Sequence, residues 1–272
     1  MTEPWIGLGL VVATFAALLA IFSLIGPLLQ PEVLRKGLHI SMGLTALTFP
    51  WLFDTPWPVV LVAGASTLTF LAFRTRFLLF RRLAAAMRRI KRVSVGEYCF
   101  VIATCVVFIL ANGDPLLYCI PMLLLTLADS AAALVGTAWG THRYFTMGQY
   151  KTVEGSVAFF AIAFASISVP LALFTSASNP ESLAVAALIA FAVTVLEAAV
   201  GGGFDNLLVP LGAFAAIKAT GLTVERHDEL QSGSPLVVAA LCAAAALLVL
   251  LLVILMSSRR NGAFGGTPGP RE

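Results

Sequence analysis

The sequence predicts an all-α fold, a polytopic integral membrane bundle of about nine transmembrane helices. Hydrophobic residues make up 59% of the chain and charged residues 11%, and the mean hydropathy is +0.95. These values exclude a soluble globular protein. Apolar runs also recur along most of the chain, many of them near the roughly 20 residues that a helix needs to cross a hydrocarbon core of about 30 Å. Short polar stretches separate these runs, as expected for loops between spans.

Nine apolar segments are predicted to be the spanning helices of a single transmembrane domain, residues 1–256. The first has no basic leader and no small-residue cleavage site, which predicts a retained helix and not a signal peptide. The fourth and eighth are short for full spans, so the predicted range is seven to nine. In chain order the segments are Trp5 to Leu29, Leu38 to Phe53, Pro58 to Phe73, Tyr98 to Ala111, Pro115 to Ala138, Ser156 to Thr175, Leu183 to Val200, Leu207 to Ala219 and Leu236 to Met256.

The basic residues predict the orientation, because Lys and Arg accumulate in short cytoplasmic loops. With the N-terminus outside and the C-terminus in the cytoplasm, 15 of the 17 basic residues fall inside, and only Lys218 and Arg226 fall outside. Residues 257–272 are predicted to form a disordered cytoplasmic tail. A compact chain without a transit peptide favours a bacterial plasma membrane.

Residues 74–92, RTRFLLFRRLAAAMRRIKR, combine eight basic residues with apolar residues at helical spacing. This pattern predicts an amphipathic helix in the membrane interface, attracted to anionic lipids. The four cysteines lie in apolar runs without a CxxC pair and the three histidines are scattered. Neither a disulfide framework nor a zinc site is predicted, and no nucleic-acid partner is expected.

Acidic residues concentrate in the cytoplasmic half of the predicted bundle and its loops, namely Glu97, Asp129, Glu154, Glu197 and Asp205. The predicted outer loops carry no comparable cluster. Acidic residues contribute little to the orientation rule, so their distribution is a separate observation. It predicts a cleft at the cytoplasmic face that both a soluble ligand and a lipid of the inner leaflet can reach.

Asp129 lies within the fifth segment, where a carboxylate costs roughly 2.5 to 3.5 kcal/mol and by default marks a functional site. Ala132, Gly136 and Gly140 follow at steps that keep all four residues on one helix face. Such small residues allow a ligand to approach the backbone closely. A packing seam with a neighbouring helix explains the glycines equally well.

Lys151 and Glu154 precede the sixth segment, and Gly155 and Ser156 lie at its start. A phosphate suits this position, because backbone N–H groups and the helix dipole point at it and a lysine adds a positive charge. The alternative is an interfacial lysine beside a glutamate that stabilises the helix dipole.

The stretch RKGLH places Arg35, Lys36 and His39 at the cytoplasmic start of the second segment. These side chains are candidates for binding phosphate oxygens, and a simple cytoplasmic anchor is the alternative.

Glu197 and Asp205 lie on either side of three consecutive glycines, residues 201–203. A tight glycine turn would direct both carboxylates to one point, together with Asp129. Magnesium is commonly bound by one or two carboxylates plus the phosphates of a substrate. Asp129, Glu197 and Asp205 are therefore candidate magnesium ligands, and a merely flexible glycine loop is the alternative.

The sequence lacks a GxxxxGK[ST] phosphate loop, a kinase-type HRD or DFG motif and a GxSxG elbow. Four motifs, in order, instead resemble the membrane polyprenol kinases, the group of dolichol, phytol and farnesol kinases. The resemblance covers about Arg35 to Leu211. The motifs are RKGLH, the D-x-x-A-x-x-x-G-x-x-x-G pattern from Asp129 to Gly140, KTVEGS from Lys151 to Ser156, and Glu197 followed by DNLLVP from Asp205.

The resemblance implies an all-helical enzyme that uses Mg²⁺ and transfers the γ-phosphoryl group of a nucleoside triphosphate, typically CTP, to a lipid alcohol. It implies that Asp129, Lys151, Glu154 and Asp205 belong to the nucleotide and metal site, which Gly136 and Gly140 line. We predict that these four residues are catalytic and that Glu154 orients the hydroxyl or accepts its proton. The residues expected to bind the nucleotide or its phosphates are Arg35, Lys36, His39, Gly136, Gly140, Lys151, Gly155, Ser156 and Asn206.

Three departures from the family pattern accompany these matches. Only one lysine precedes TVEGS, after Gln149 and Tyr150; Leu208 stands where a threonine is expected; and GEYCF, which contains Glu97, matches only loosely.

Two other functions stay open. Phosphatidate cytidylyltransferases are similar to this family and need the same magnesium, CTP and lipid, but they transfer CMP to a lipid phosphate; the KTxEGS and DNLxVP forms favour the kinase. An ion-coupled transporter would use Asp129 and Glu197 to bind a cation or carry protons, yet it does not explain why the charged motifs crowd one face. The acceptor is also open among phytol, farnesol, geranylgeraniol and longer polyprenols.

Overall fold

The computed structural model describes residues 3–74, 95–175 and 179–221, and this part of the chain is mostly helical. The ninth apolar segment, the interfacial helix predicted beyond Arg74 and the predicted C-terminal tail lie outside the described residues.

Each of the eight apolar segments that fall within the described residues is helical, as predicted. The second is divided between α2 and α3, and a 3₁₀ turn, Gly26–Leu28, extends the first. The α-helices are α1 Pro4–Ile25, α2 Pro31–Ala46, α3 Phe49–Leu52, α4 Trp57–Arg74, α5 Gly96–Ala111, α6 Pro115–Leu123, α7 Asp129–Trp139, α8 Val153–Phe174, α9 Pro180–Ala199 and α10 Asp205–Thr220.

Three helices begin at side chains that accept hydrogen bonds from otherwise unpaired backbone N–H groups. Asp114 caps α6 by accepting from the N–H groups of Leu116 and Leu117, and Asn179 caps α9. Thr152 caps α8 by accepting from the N–H of Gly155. The start of α8, where a phosphate site is predicted, is therefore already capped at one of its N–H groups.

The fifth predicted segment is one continuous rod with a wide turn in its middle. Between α6 and α7, residues Leu124–Ala128 are π-helical, a rare geometry that is frequent at functional sites. Helix α2 packs closely against this turn at Gly43, where an added Cβ would overlap the Thr126 side chain. The contact fixes α2 beside the turn that immediately precedes Asp129.

A β-hairpin interrupts the helices, and the all-α prediction missed it. Strands β1, Arg143–Thr146, and β2, Gln149–Thr152, pair antiparallel in the register Arg143↔Thr152 to Thr146↔Gln149. The two-residue turn between them has φ of 39° at Met147 and 78° at Gly148, as expected for a tight hairpin. Lys151, predicted in a loop before a helix, therefore lies on a strand.

Two hydrophobic cores hold the bundle, and α6 and α10 contribute to both. The first core joins α1, α3, α4 and α5 to them through Val11, Phe49, Val62, Phe100, Tyr118 and Phe214. The second joins α8 and α9 through Ile120, Leu124, Phe159, Ala190 and Ala213. The helices that carry the charged motifs thus belong to one packed unit, in which the positions of side chains from distant motifs are set by shared core contacts.

The outer surface of the bundle is rich in large apolar side chains, among them Leu28, Leu188 and Phe191, which are more than half exposed. Four helices in the described part of the chain are long and apolar enough to cross a membrane. They are Pro4–Leu28, Pro115–Trp139, Val153–Phe174 and Pro180–Ala199. These features are those of a membrane protein; the number of spans and the orientation of the termini stay predictions.

Candidate active site

A polar cavity of about 530 Å³ lies at the end of the bundle where α2, α5, α8 and α10 begin and α9 ends. Residues of both hairpin strands line it as well. Its charged lining residues are Glu32, Arg35, Lys36, Glu97, Asp129, Arg143, Lys151, Glu197 and Asp205. Motifs that are up to 170 positions apart in the chain, from Arg35 to Asp205, meet here.

Lys36 and Asp129 form a buried ion pair at this cavity. Lys36 is 2% exposed and Asp129 9%. The Lys36 ammonium donates to Asp129 Oδ2 and also to the Asp129 backbone carbonyl oxygen, at 3.3 Å. A buried charge is costly unless it has an opposite charge and hydrogen bonds, and each residue supplies these for the other. Lys36 therefore sets the position of the Asp129 carboxylate.

His39 supports Asp129 from a different side and is not part of the polar cavity. Its Nε2 lies 2.9 Å from the carbonyl oxygen of Leu125 in the π-helical turn and 3.6 Å from Asp129 Oδ2. The ring packs edge-on against Phe100, with centroids 4.9 Å apart. This placement does not support the predicted phosphate-binding role, because the histidine side chain is only 10% exposed, contacts these groups and faces an apolar cavity.

Lys151 connects the other two carboxylates of the site. Its Nζ donates to Glu197 Oε1 at 2.6 Å and to the Glu197 backbone carbonyl oxygen, and it lies 3.5 Å from Asp205 Oδ2. Burial and the charge of Asp129 raise the pKa of Asp205, and the charge of Lys151 offsets only part of this effect. The Oε2 atom of Glu197 is buried without a hydrogen-bond partner among the described residues. Lys151 thus brings a single positive charge to two carboxylates, Glu197 and Asp205.

The predicted magnesium ligands line one cavity, but they are not gathered into a ready-made metal site. Among the described residues, no three His, Cys, Asp or Glu side chains are close enough together to hold a metal ion. Lys36 pairs with Asp129, and Lys151 contacts Glu197 and lies 3.5 Å from Asp205. Carboxylate oxygens, among them the unpartnered Glu197 Oε2, are still suitable ligands for a divalent cation whose remaining ligands are substrate phosphates and water.

The glycine turn predicted between Glu197 and Asp205 is present. Gly202 and Gly203 have φ of 72° and 98°, conformations that glycine adopts without strain. A Cβ on Gly201 would lie 2.5 Å from the Gln149 side-chain nitrogen, so the turn packs directly on the hairpin. This arrangement brings the start of α10 next to Lys151.

The small residues of α7 form a packing seam, which was the second of the two explanations considered for their spacing. A Cβ on Gly136 would lie 2.7 Å from Thr152 Oγ1, and a Cβ on Gly155 2.8 Å from the Ala132 carbonyl oxygen. The seam holds the hairpin end and the start of α8 against α7. Gly136 and Gly155 also line the polar cavity, whereas Gly140 does not.

Glu154 does not line the cavity, in contrast to the position expected from its predicted catalytic role. Its carboxylate accepts from the Thr141 hydroxyl and from the backbone N–H of His142, and it lies 2.8 Å from His142 Nδ1. These contacts tie the loop before β1 to the start of α8. The local sequence carries no signal of this, because the hairpin is what returns His142 to Glu154.

Arg35 and Asn206 lie at the edge of the polar cavity. The Arg35 guanidinium donates to both carboxylate oxygens of Glu32, at 2.6 and 3.1 Å, so part of its charge is already neutralised. The buried Asn206 side-chain amide donates to the carbonyl oxygen of Gly96 at 2.9 Å. This bond joins the starts of α10 and α5.

Comparisons with known proteins assign the family. The chain is 33% identical over 215 residues to a phytol kinase of Synechocystis sp., an alignment that covers 77% of this chain and 89% of that protein. The chain belongs to the phytol kinase family. No family model matches it, and no solved structure matches it.

Most residues predicted to form the site of a phytol kinase family member line the polar cavity. They are Arg35, Lys36, Asp129, Gly136, Lys151, Gly155, Ser156, Glu197, Asp205 and Asn206. His39, Gly140 and Glu154 do not line it. Their chemical roles stay predictions.

Arg143 and Gln149 are among the lining residues that were not predicted for this phytol kinase family site. Both lie on the hairpin, and their position depends on strand pairing. Within the described residues, the Arg143 side chain has no acidic partner, unlike Lys36, Lys151 and Arg35. In the sequence, the signal for Arg143 was a basic residue shortly before the KTVEGS motif, and the hairpin that brings it beside Lys151 was not predicted.

Proposed function

We propose that this protein is a membrane lipid kinase that transfers the γ-phosphoryl group of CTP to an isoprenoid alcohol, such as phytol, farnesol, geranylgeraniol or a longer polyprenol. Family membership supports an isoprenoid alcohol kinase. CTP as the donor, Mg²⁺ as the cofactor and a cytoplasmic active site are our proposals. The observation that supports them is the polar cavity, where basic side chains, including Lys36 and Lys151, lie beside carboxylates in a bundle whose cores and outer surface are largely apolar.

The cavity supports phosphoryl transfer because its basic residues complement the nucleotide phosphates and its carboxylates can accept a hydrogen bond from an alcohol. Catalysis of this step is mostly positioning and electrostatic stabilisation of the transferring group. Lys151 would leave Glu197 and bind the transferring phosphate, and Arg143 would bind the phosphates farther along the nucleotide. Lys36 would keep Asp129 in place throughout.

Asp205, Glu197 and Asp129 would hold the magnesium, which supplies charge neutralisation across the nucleotide phosphates when it is bound. The hydroxyl oxygen of the alcohol forms a bond to the γ-phosphorus, and the bond from that phosphorus to the bridging oxygen breaks, so that CDP leaves. A carboxylate of the cavity accepts the hydroxyl proton. Glu154 is not proposed for this step, because its carboxylate is directed to Thr141 and His142.

The orientation proposed for this enzyme is N-terminus outside and C-terminus in the cytoplasm, with nine spans in a bacterial plasma membrane. The basic residues support it, since 15 of 17 fall inside in this arrangement. The polar cavity lies at the bundle end where α2 and α8 begin and α9 ends, which is the cytoplasmic end in this orientation.

The proposal is tested with purified full-length protein, magnesium and CTP labelled in parallel at the γ- or the α-phosphate. The acceptors are a panel of isoprenoid alcohols and phosphatidic acid. We expect label in an alcohol product from γ-labelled CTP alone. Label in the lipid only from α-labelled CTP would identify a cytidylyltransferase instead. If no lipid is labelled with CTP, ATP or GTP, ion-coupled uptake in proteoliposomes would test the transporter alternative.

A further inference from the structure

A second cavity, of about 310 Å³, lies between α1, α2, α4 and α5, and its lining is almost entirely apolar. Val11, Phe15, Leu38, Met42 and Phe100 are among the residues that line it. Val12 and Ala16 also line it and are exposed on α1. The cavity therefore reaches the outer, apolar surface of the bundle, where lipid surrounds a membrane protein.

This apolar cavity meets the polar cavity at three shared residues. Arg35, Glu97 and Asn206 line both of them. Arg35 is held by Glu32 and Asn206 by the carbonyl oxygen of Gly96. A molecule with an apolar chain and one polar end would thus place its chain in one cavity and its polar end at the other.

Glu97 is the shared residue with hydrogen-bonding capacity left over. Its Oε2 is buried and has no hydrogen-bond partner among the described residues. A buried polar atom without a partner is unusual and energetically unfavourable, so it calls for a ligand or water. A carboxylate oxygen accepts hydrogen bonds, which makes a hydroxyl group a suitable partner.

We propose that the apolar cavity binds the isoprenoid chain of the acceptor alcohol and that Glu97 accepts a hydrogen bond from the hydroxyl group of that alcohol. This assignment rests on the proposed function. The hydroxyl proton passes to Glu97 Oε2 as the hydroxyl oxygen bonds to the γ-phosphorus, and the electron pair of the broken phosphorus–oxygen bond leaves with CDP. Glu97 takes the place that the sequence assigned to Glu154, and a chain longer than the cavity extends past α1 into the membrane.

The chain site is tested by photo-crosslinking, which does not depend on phosphoryl transfer. Full-length protein in lipid nanodiscs is irradiated with a diazirine-bearing geranylgeraniol, and the labelled residues are mapped by mass spectrometry. We expect labels on the cavity-lining residues of α1, α2, α4 and α5, and competition by unlabelled phytol but not by CTP. Labels confined to α8 and α9, or no labelled site, would overturn the assignment.

A variant that fills the cavity tests the same point in a second way. Ser66 lines the cavity from α4, and Ser66→Phe should lower cavity labelling and raise the KM for a long alcohol at least tenfold without changing the KM for CTP. Leu68→Phe is the matched control, because Leu68 is 67% exposed on the same helix and outside the cavity. An unchanged alcohol KM and unchanged labelling in Ser66→Phe would contradict the proposal.

The role of Glu97 is tested by Glu97→Gln, which keeps the shape of the side chain. We expect kcat to fall at least 100-fold, with the KM for CTP and the crosslinking pattern unchanged, because the glutamine amide cannot accept the hydroxyl proton. Glu181→Gln, an exposed change at the start of α9, is the control. A Glu97→Gln enzyme with wild-type kcat would remove Glu97 from the mechanism.

The two proposals fail in distinguishable ways. Cavity labelling without transfer from any triphosphate to any alcohol would refute the kinase and leave the lipid site in place. Transfer to an alcohol with labels elsewhere would confirm the kinase and refute the site.

Discussion

At the scale of single residues, the Lys36–Asp129 pair is the most sensitive point of the site. Removing one member of a buried ion pair leaves the other charge uncompensated and typically costs about 3–5 kcal/mol, whereas replacing both members with apolar residues of similar size is often neutral. We expect Lys36→Ala to lower the thermal stability of the purified protein markedly and Lys36→Met combined with Asp129→Leu to restore it. Both variants should lack kinase activity.

Thermal unfolding in detergent, followed by loss of the monodisperse peak after heating, measures these changes. A Lys36→Ala protein as stable as the wild type would show that Asp129 does not need this partner.

Arg143 carries the second prediction at this scale. Its guanidinium lines the polar cavity without an acidic partner among the described residues, so it is available for nucleotide phosphates. We expect Arg143→Ala to raise the KM for the nucleotide about tenfold, equivalent to about 1.4 kcal/mol, with the KM for the alcohol unchanged. Steady-state kinetics with each substrate varied in turn measures this split.

Lys218→Ala is the matched control, because Lys218 is an exposed cation near the opposite end of α10, over the Phe214 ring. An equal effect of the two substitutions would indicate a general loss of positive charge and not a phosphate contact.

At the scale of secondary-structure elements, the contact between α2 and the π-helical turn determines the position of Asp129. A Cβ on Gly43 would overlap the Thr126 side chain of that turn, and overpacking of this kind costs about 1–3 kcal/mol. We expect Gly43→Ala to lower both thermal stability and kcat, because α2 also carries Lys36 and His39.

Gly64→Ala on α4 tests whether the effect belongs to the contact. A Cβ there meets no atom within 4 Å, so the higher helix propensity of alanine should stabilise the helix slightly. If Gly43→Ala behaved like Gly64→Ala, the close contact between α2 and the turn would be refuted.

The elements also show what the sequence can predict and what it cannot. The eight described apolar segments were located to within a few residues at most of their ends, because bilayer thickness and apolar composition dictate such helices locally. The hairpin was missed because its strands are four residues each and contain the charged motif that was expected to lead into a helix. With the hairpin missed, the Glu154 contact to His142 and the cavity position of Arg143 could not be foreseen.

The motif residues themselves were predicted better than their surroundings. One cavity is lined by four of them, as expected, because charged residues in a membrane bundle face its interior or a water-filled cavity and not the lipid. They are Asp129, Lys151, Glu197 and Asp205. The contacts of Lys36 with Asp129 and of Lys151 with Glu197 span 93 and 46 positions, and no local pattern encodes such pairings.

At the scale of the whole molecule, the proposed orientation requires an odd number of membrane crossings. We expect a fluorescent protein fused to the C-terminus to fluoresce in the cytoplasm and an N-terminal peptide tag to be accessible to antibody in spheroplasts without permeabilisation. Inner-membrane permeabilisation is the control for tag accessibility. If both termini were on one side, the number of spans would be even and the proposed nine-span topology would be wrong.

The two cavities give the reacting centre two entrances, one from the lipid and one from the aqueous solution. One opens toward the apolar surroundings of α1 and the other toward the polar end of the bundle. The rate depends on the concentration of the acceptor within the membrane, because the acceptor enters through the first cavity. It depends on the concentration of the nucleotide in solution, because the nucleotide enters through the second. Adding inert lipid to a fixed amount of enzyme and alcohol should therefore slow turnover, as though the alcohol had been withdrawn, while the response to nucleotide concentration stays the same.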